Sequence, residues 1–157
     1  MLLFVLKAIH ILAAMLFFGT GLGSVFYKMR ADMSGDIKVI AWCQRAIVLA
    51  DWLFTVPSAV VLPVTGIWMA LARDIPITEG WVLWGIIGYV IAGLTWLPAA
   101  FLQIAMRNRA QEALDTGEPL SPDFHKYRKI WLGLGVPSFF AAMTVIYVMV
   151  FRNLAFA

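Results

Sequence analysis

The chain has 157 residues, 62% of them hydrophobic and only 13% charged, with a mean hydropathy of +0.86. Such a composition is far from that of a soluble domain, and it describes a polytopic membrane protein with no soluble domain left over. The net charge of +3 is read as membrane topology and not as nucleic-acid binding.

A membrane span needs about 20 mainly apolar residues. Four stretches qualify, at about 2–27, 46–72, 81–106 and 130–151. Their backbone polar groups must be satisfied internally, and they lack the alternation of a membrane β-barrel, so each is predicted to be a helix. The expected fold is all-α: an integral membrane four-helix bundle occupying 1–157 as a single transmembrane domain.

The first segment carries Lys7 inside its apolar run, which reads as a permanent helix and not a cleaved signal. It also carries His10, one of only two histidines in the chain. An ionisable side chain at membrane depth is by default a functional-site candidate. Toward the far end, Gly19-Thr-Gly-Leu-Gly-Ser24 places small residues four apart, a spacing for close helix packing. A dinucleotide-binding loop would need a preceding strand, which is absent.

In the second segment Gln44, Asp51, Ser58 and Thr65 recur every seven residues, with Thr55 beside Asp51. Residues seven apart share a helix face, so these form a polar stripe that must face protein. Asp51 is placed about a turn and a half inside the boundary, within reach of Gln103 and of Arg45, Lys28 or Arg107. Two roles stand for the stripe: a structural clamp, or a relay for protons or solutes. Pro57 and Pro63 are expected to kink this helix and free carbonyls. The lone cysteine, Cys43, is read as a reduced packing thiol.

A short turn, Arg73-Asp-Ile-Pro-Ile-Thr-Glu-Gly80, joins the second and third segments as an antiparallel hairpin. After the third, Arg107 to Leu114 is suited to prolong the helix, and Asp115-Thr-Gly-Glu-Pro-Leu-Ser-Pro-Asp123 breaks it. Phe124-His-Lys-Tyr-Arg-Lys-Ile-Trp131 reads as an interfacial entry to the fourth segment, with His125 solvated in the loop. Lys28, Arg30, Lys38, Arg45, Arg107, Arg109, Lys126, Arg128 and Lys129 flank two connections, against Lys7, Arg73 and Arg152 on the opposite side. The positive-inside rule puts the richer side in the cytoplasm. Both termini then face the periplasm of a bacterial inner membrane.

Counting inward at about 1.5 Å per residue, His10, Thr65 and Tyr89 fall in one layer, with Trp84 and Tyr147 slightly nearer the outer surface. Either His10 pairs with Thr65 or a tyrosine and ties helices together, or it is an axial haem ligand. The aromatics and Ala14 would shape the porphyrin site. With no second histidine at this depth, the iron would be five-coordinate, take Met69, or take His10 of a second protomer. Zinc needs three or four ligands, and copper prefers Met and His clusters; neither pattern is present.

Lys7-Ala-Ile-His10-Ile, Gly19 and Arg30-Ala31 together resemble the first helix of the HemJ-type protoporphyrinogen oxidases and the related CopD-like membrane proteins. Pro63-Val-Thr-Gly66-Ile-Trp68 is similar to the end of their second helix, Gly80-Trp81 to their third-helix start, and Tyr127-Arg128 with Pro137 to their fourth. The resemblance implies haem b on His10. HemJ proteins carry a His and a Lys after the Gly-Trp pair, where this chain has Leu83 and Gly85, and Asn-Glu before the fourth-helix proline, where it has Leu134-Gly135. Protoporphyrinogen oxidase activity is thereby put in doubt. A sister family of bacterial predicted integral membrane proteins of unknown function is more similar overall, notably around Ala50-Asp51-Trp-Leu-Phe54 and Pro63 to Gly66.

The leading expectation is a bundle in the lipid bilayer that binds haem b or a related porphyrin through His10, for electron transfer or porphyrin handling. The alternatives are a small-solute or metal carrier built on the helix-two stripe, and an accessory subunit of a larger membrane complex. A homodimer and a redox partner are both compatible with the sequence.

Overall fold

The structure, a computed structural model, describes residues 1–78 and 80–151. Arg152, counted above among the outer charges, lies outside them. The described residues form helices α1 (Leu2–Ser34), α2 (Ile37–Ala50), α3 (Val56–Leu71), α4 (Gly80–Thr116) and α5 (Pro122–Val150), with the five residues Asp51–Thr55 wound as a π-turn between α2 and α3. No strand occurs among the described residues. Since α2, the π-turn and α3 form one continuous rod, four helices are long and apolar enough to cross a membrane: Leu2–Ser34, Ile37–Leu71, Gly80–Thr116 and Pro122–Val150.

All four outrun the apolar stretches, and on the same side. α1 continues past Tyr27 until Gly35, at φ 66°, donates its N–H to the Asp32 carbonyl; a left-handed residue after a helix is most cheaply a glycine. Asp36 then caps α2 by accepting from the Lys38 amide at 2.8 Å, so the second rod begins at Ile37 and not near 46. α4 runs on to Thr116 before Gly117 at φ 73°. Ser121 caps α5, followed by Pro122 at its first position, a residue whose missing N–H costs nothing there. His125 therefore sits in the first turns of a helix and not in a loop, and the fourth rod starts well before 130. Hydropathy marks where lipid begins, while caps and glycines mark where helices end.

The π-turn has a local cause. The Val56 amide bonds the Asp51 carbonyl, five residues back instead of four, and Pro57 immediately beyond has no N–H to offer Leu53. Single wide turns of this kind commonly occur where a helix must re-aim side chains. Here the turn presents Asp51 and Thr55 inward, both buried, while Trp52, Leu53 and Phe54 face out.

Packing is uneven along the bundle. α4 and α5 form the most extensive pair, and α1 lies on α3, while close backbone approach between these two pairs is concentrated where α2 meets α4. Gly85 and Gly88 allow the first of these: a Cβ there would lie 2.7 Å from Met149 Cε and 2.8 Å from Val145 Cγ2 respectively. The main core sits at the basic end, where Ala31, Ile40, Ala41, Cys43, Ile47, Met106, Ala110, Phe124 and Trp131 pack together. Most other large apolar side chains point outward, as they do when lipid and not water surrounds a bundle.

Candidate functional site

The buried polar residues of the second rod divide into an outer and an inner group. In the outer group, His10 of α1 meets Thr65 of α3, with Nδ1 to Oγ1 at 2.8 Å. Thr65 Oγ1 is also 2.6 Å from the Val61 carbonyl and 3.3 Å from that of Leu62. Two oxygens at 2.6 Å need a proton between them, and the hydroxyl has only one to give. Its proton is therefore committed to Val61, and it accepts from His10 Nδ1–H. This assigns the tautomer: Nδ1 carries the hydrogen, and Nε2 presents a lone pair.

Gly66 makes room for this imidazole. A Cβ at that position would stand 3.3 Å from His10 Cε1 and 3.8 Å from Nδ1, so a larger residue would press on the ring. Ala14, one turn after His10, and Met69, one turn after Thr65, are half-buried on the same two helices.

The remaining members of the expected layer go elsewhere. The Tyr89 hydroxyl donates to the Ala59 carbonyl, because Pro63 has no amide to occupy that carbonyl. Trp84 and Tyr147 are 54% and 56% exposed on the outer surface of the bundle, and Tyr147 packs its ring on Phe151 at 4.8 Å. They lie on α4 and α5, which pack mainly on each other. A shared depth along the helices, as counted from the sequence, does not fix azimuth. His10 and Thr65 are brought together; the aromatic wall is not built around them.

The inner group centres on Asp51. One carboxylate oxygen accepts from Thr55 Oγ1 at 2.7 Å and the other from the Gln103 amide of α4. Gln44 and Ser58 are buried on the same rod, and the Gln44 Oε1 atom has no hydrogen-bond partner. Arg45 instead turns out to Gln111. Lys28 of α1 is also buried, 2% exposed, one turn before Asp32 on the same helix.

The sequence pattern set Lys28 within reach of Asp51 but did not reveal its burial against Trp131, the neighbouring role of Asp32, or the function of Gly66. Lys28 and Asp32 stand four apart, as paired residues on one helix face do. That spacing was the available signal. Among the described residues, no group of three or more His, Cys, Asp or Glu is placed to hold a metal ion. The donor set on offer is a single imidazole nitrogen, which fits one axial bond to a porphyrin iron and does not fit a protein-built metal cage.

Four apolar rods with buried polar contacts between them make this a helical integral membrane protein. The chain belongs to the family described as predicted integral membrane protein (DUF2269), whose model matches residues 4–153. No curated protein and no solved structure matches it.

Proposed function

We propose that the protein binds haem b or a related porphyrin through His10 Nε2, in a bacterial inner membrane with both termini on the periplasmic side. One observation carries the reading: the Nδ1 proton is taken by a hydroxyl whose own proton is already committed to Val61. Ligating histidines characteristically donate their second ring N–H in this way, which fixes the tautomer and orients the ring. Thr65 is thus a positioning residue, and Gly66 leaves the ring its space. The bound group would supply one-electron chemistry or be the cargo itself, the roles of electron transfer or porphyrin handling. Met69 and Ala14 lie on the two helices that hold His10, and a second copy of the chain can bring further ligands. The resemblance of Lys7 to Ile11 to HemJ-type and CopD-like first helices supports the same reading.

The test is a visible spectrum of protein purified in mild detergent after expression with ample haem supply. A Soret band is expected, absent in His10→Ala and retained in Thr65→Val, with haem affinity lowered by about 10- to 100-fold in the latter. A colourless wild type under these conditions would refute the proposal.

A second reading concerns the inner group alone. Both oxygens of Asp51 are occupied by protein donors, which favours a clamp between α4 and the π-turn over a solute relay. An accessory role in a larger membrane complex would use the same clamp.

A further inference from the structure

Between α1 and α5 at the basic end lies a cleft of about 210 Å³, lined by Lys28, Met29, Asp32, Met33, Arg128, Trp131 and Leu132. Lys28 is one of its walls, and its ammonium stands 3.9 Å from the centroid of the Trp131 ring. That ammonium is buried and has no hydrogen-bond partner, and neither has Asp32 Oδ1. The other Asp32 oxygen, Oδ2, is 3.3 Å from Arg128 Nη1.

We propose that this cleft binds the headgroup of a phospholipid, with the phosphodiester on Lys28 and Arg128 and a headgroup amine or hydroxyl donating to Asp32. A buried ammonium at the edge of lipid is costly unless an acceptor meets it, and a cation–π contact supplies no acceptor atom. A buried carboxylate oxygen likewise needs a donor. One ligand satisfies both only if it carries acceptor oxygens and a donor a few bonds apart.

Charge selects further. Lys28 and Arg128 against the single carboxylate of Asp32 favour an anionic phosphodiester over a cationic group on the basic side of the cleft. The rim of the cleft supplies the rest: Leu132, inside the fourth apolar stretch, and Met29 and Met33, just beyond the first, are exposed apolar side chains at the level where headgroup gives way to acyl chain. Basic pockets between helices near a membrane face are the recurring setting for headgroup recognition.

The protein, stripped of lipid in detergent, is titrated with phosphatidylglycerol, phosphatidylethanolamine, phosphatidylcholine or inorganic phosphate, and the thermal unfolding midpoint is followed. Phosphatidylglycerol and phosphatidylethanolamine carry headgroup donors and are expected to raise the midpoint at concentrations about tenfold lower than phosphatidylcholine, which has none. Inorganic phosphate at equal concentration is expected to leave it unchanged. Lys28→Met should abolish the response to all three lipids, and Arg128→Gln should weaken it by about tenfold.

An equal response to phosphate would replace the lipid by a free anion. Equal responses to all three lipids would remove the donor contact to Asp32. The absence of any response, as expected if water alone bridges Lys28 and Asp32, would overturn the proposal. Should Lys28→Met fail to fold, the wild-type ranking and Arg128→Gln still decide.

Discussion

Gly66→Ala probes the geometry around His10 without touching either hydrogen-bonded residue. The substitution adds one methyl group 3.3 Å from His10 Cε1 and 3.8 Å from Nδ1. Alanine inside a helix is favoured over glycine by about 0.5–1 kcal/mol, so an unobstructed site would be stabilised by that amount. Forcing extra volume against a packed ring costs about 1–3 kcal/mol. The overpacking cost is the larger, and Gly66→Ala is expected to destabilise the protein by about 1 kcal/mol. In a His10→Ala background the ring is gone and only the propensity gain remains, so the same change should stabilise. The coupling between the two substitutions is then about 1.5–2 kcal/mol, within the range measured for contacting residues. Denaturant unfolding in detergent, performed on both single variants and the double, measures it directly. If Gly66→Ala has the same effect in both backgrounds, the imidazole does not rest on Gly66 and the site geometry argued above is wrong.

Two further cycles address the remaining helix contacts. Tyr89→Phe leaves the Ala59 carbonyl unpaired and should cost about 1–3 kcal/mol, whereas with Pro63→Ala the restored amide serves that carbonyl and the loss should nearly vanish; an unchanged loss by unfolding free energy would separate Tyr89 from the proline. Gln103→Leu strips one donor from the buried Asp51 carboxylate and should cost about 1–3 kcal/mol, with Asp51→Asn losing less than Asp51→Leu, as read by the same unfolding assay. A neutral Gln103→Leu would show that α4 is not held to the π-turn by this bond.

The two hydrogen-bonded pairs at membrane depth differ in how far the sequence foretold them. His10 and Thr65 were matched by depth because both must face protein and no other polar groups compete at that level of α1 and α3. Asp51 and Gln103 followed from the stripe for the same reason. Tyr89 did not follow, since its partner is a backbone carbonyl made available by Pro63, and free carbonyls have no side-chain signature. Trp84 and Tyr147 were drawn to the same layer by counting, although their helices turn them outward.

The sequence by itself determined that there are four apolar rods and that the polar stripe of the second had to face protein, because transfer of apolar length and of uncompensated polar groups dominates the energy of a chain in lipid. Only the tertiary structure decided which buried group meets which. Azimuth depends on small residues such as Gly85 and Gly88 drawing α4 and α5 together, and on a π-turn that re-aims Asp51 and Thr55. These are local steric terms, too weak to show in hydropathy and sufficient to rotate a helix face. They leave His10 with Thr65 on one side of the bundle, and Lys28 and Asp32 facing a cleft on another.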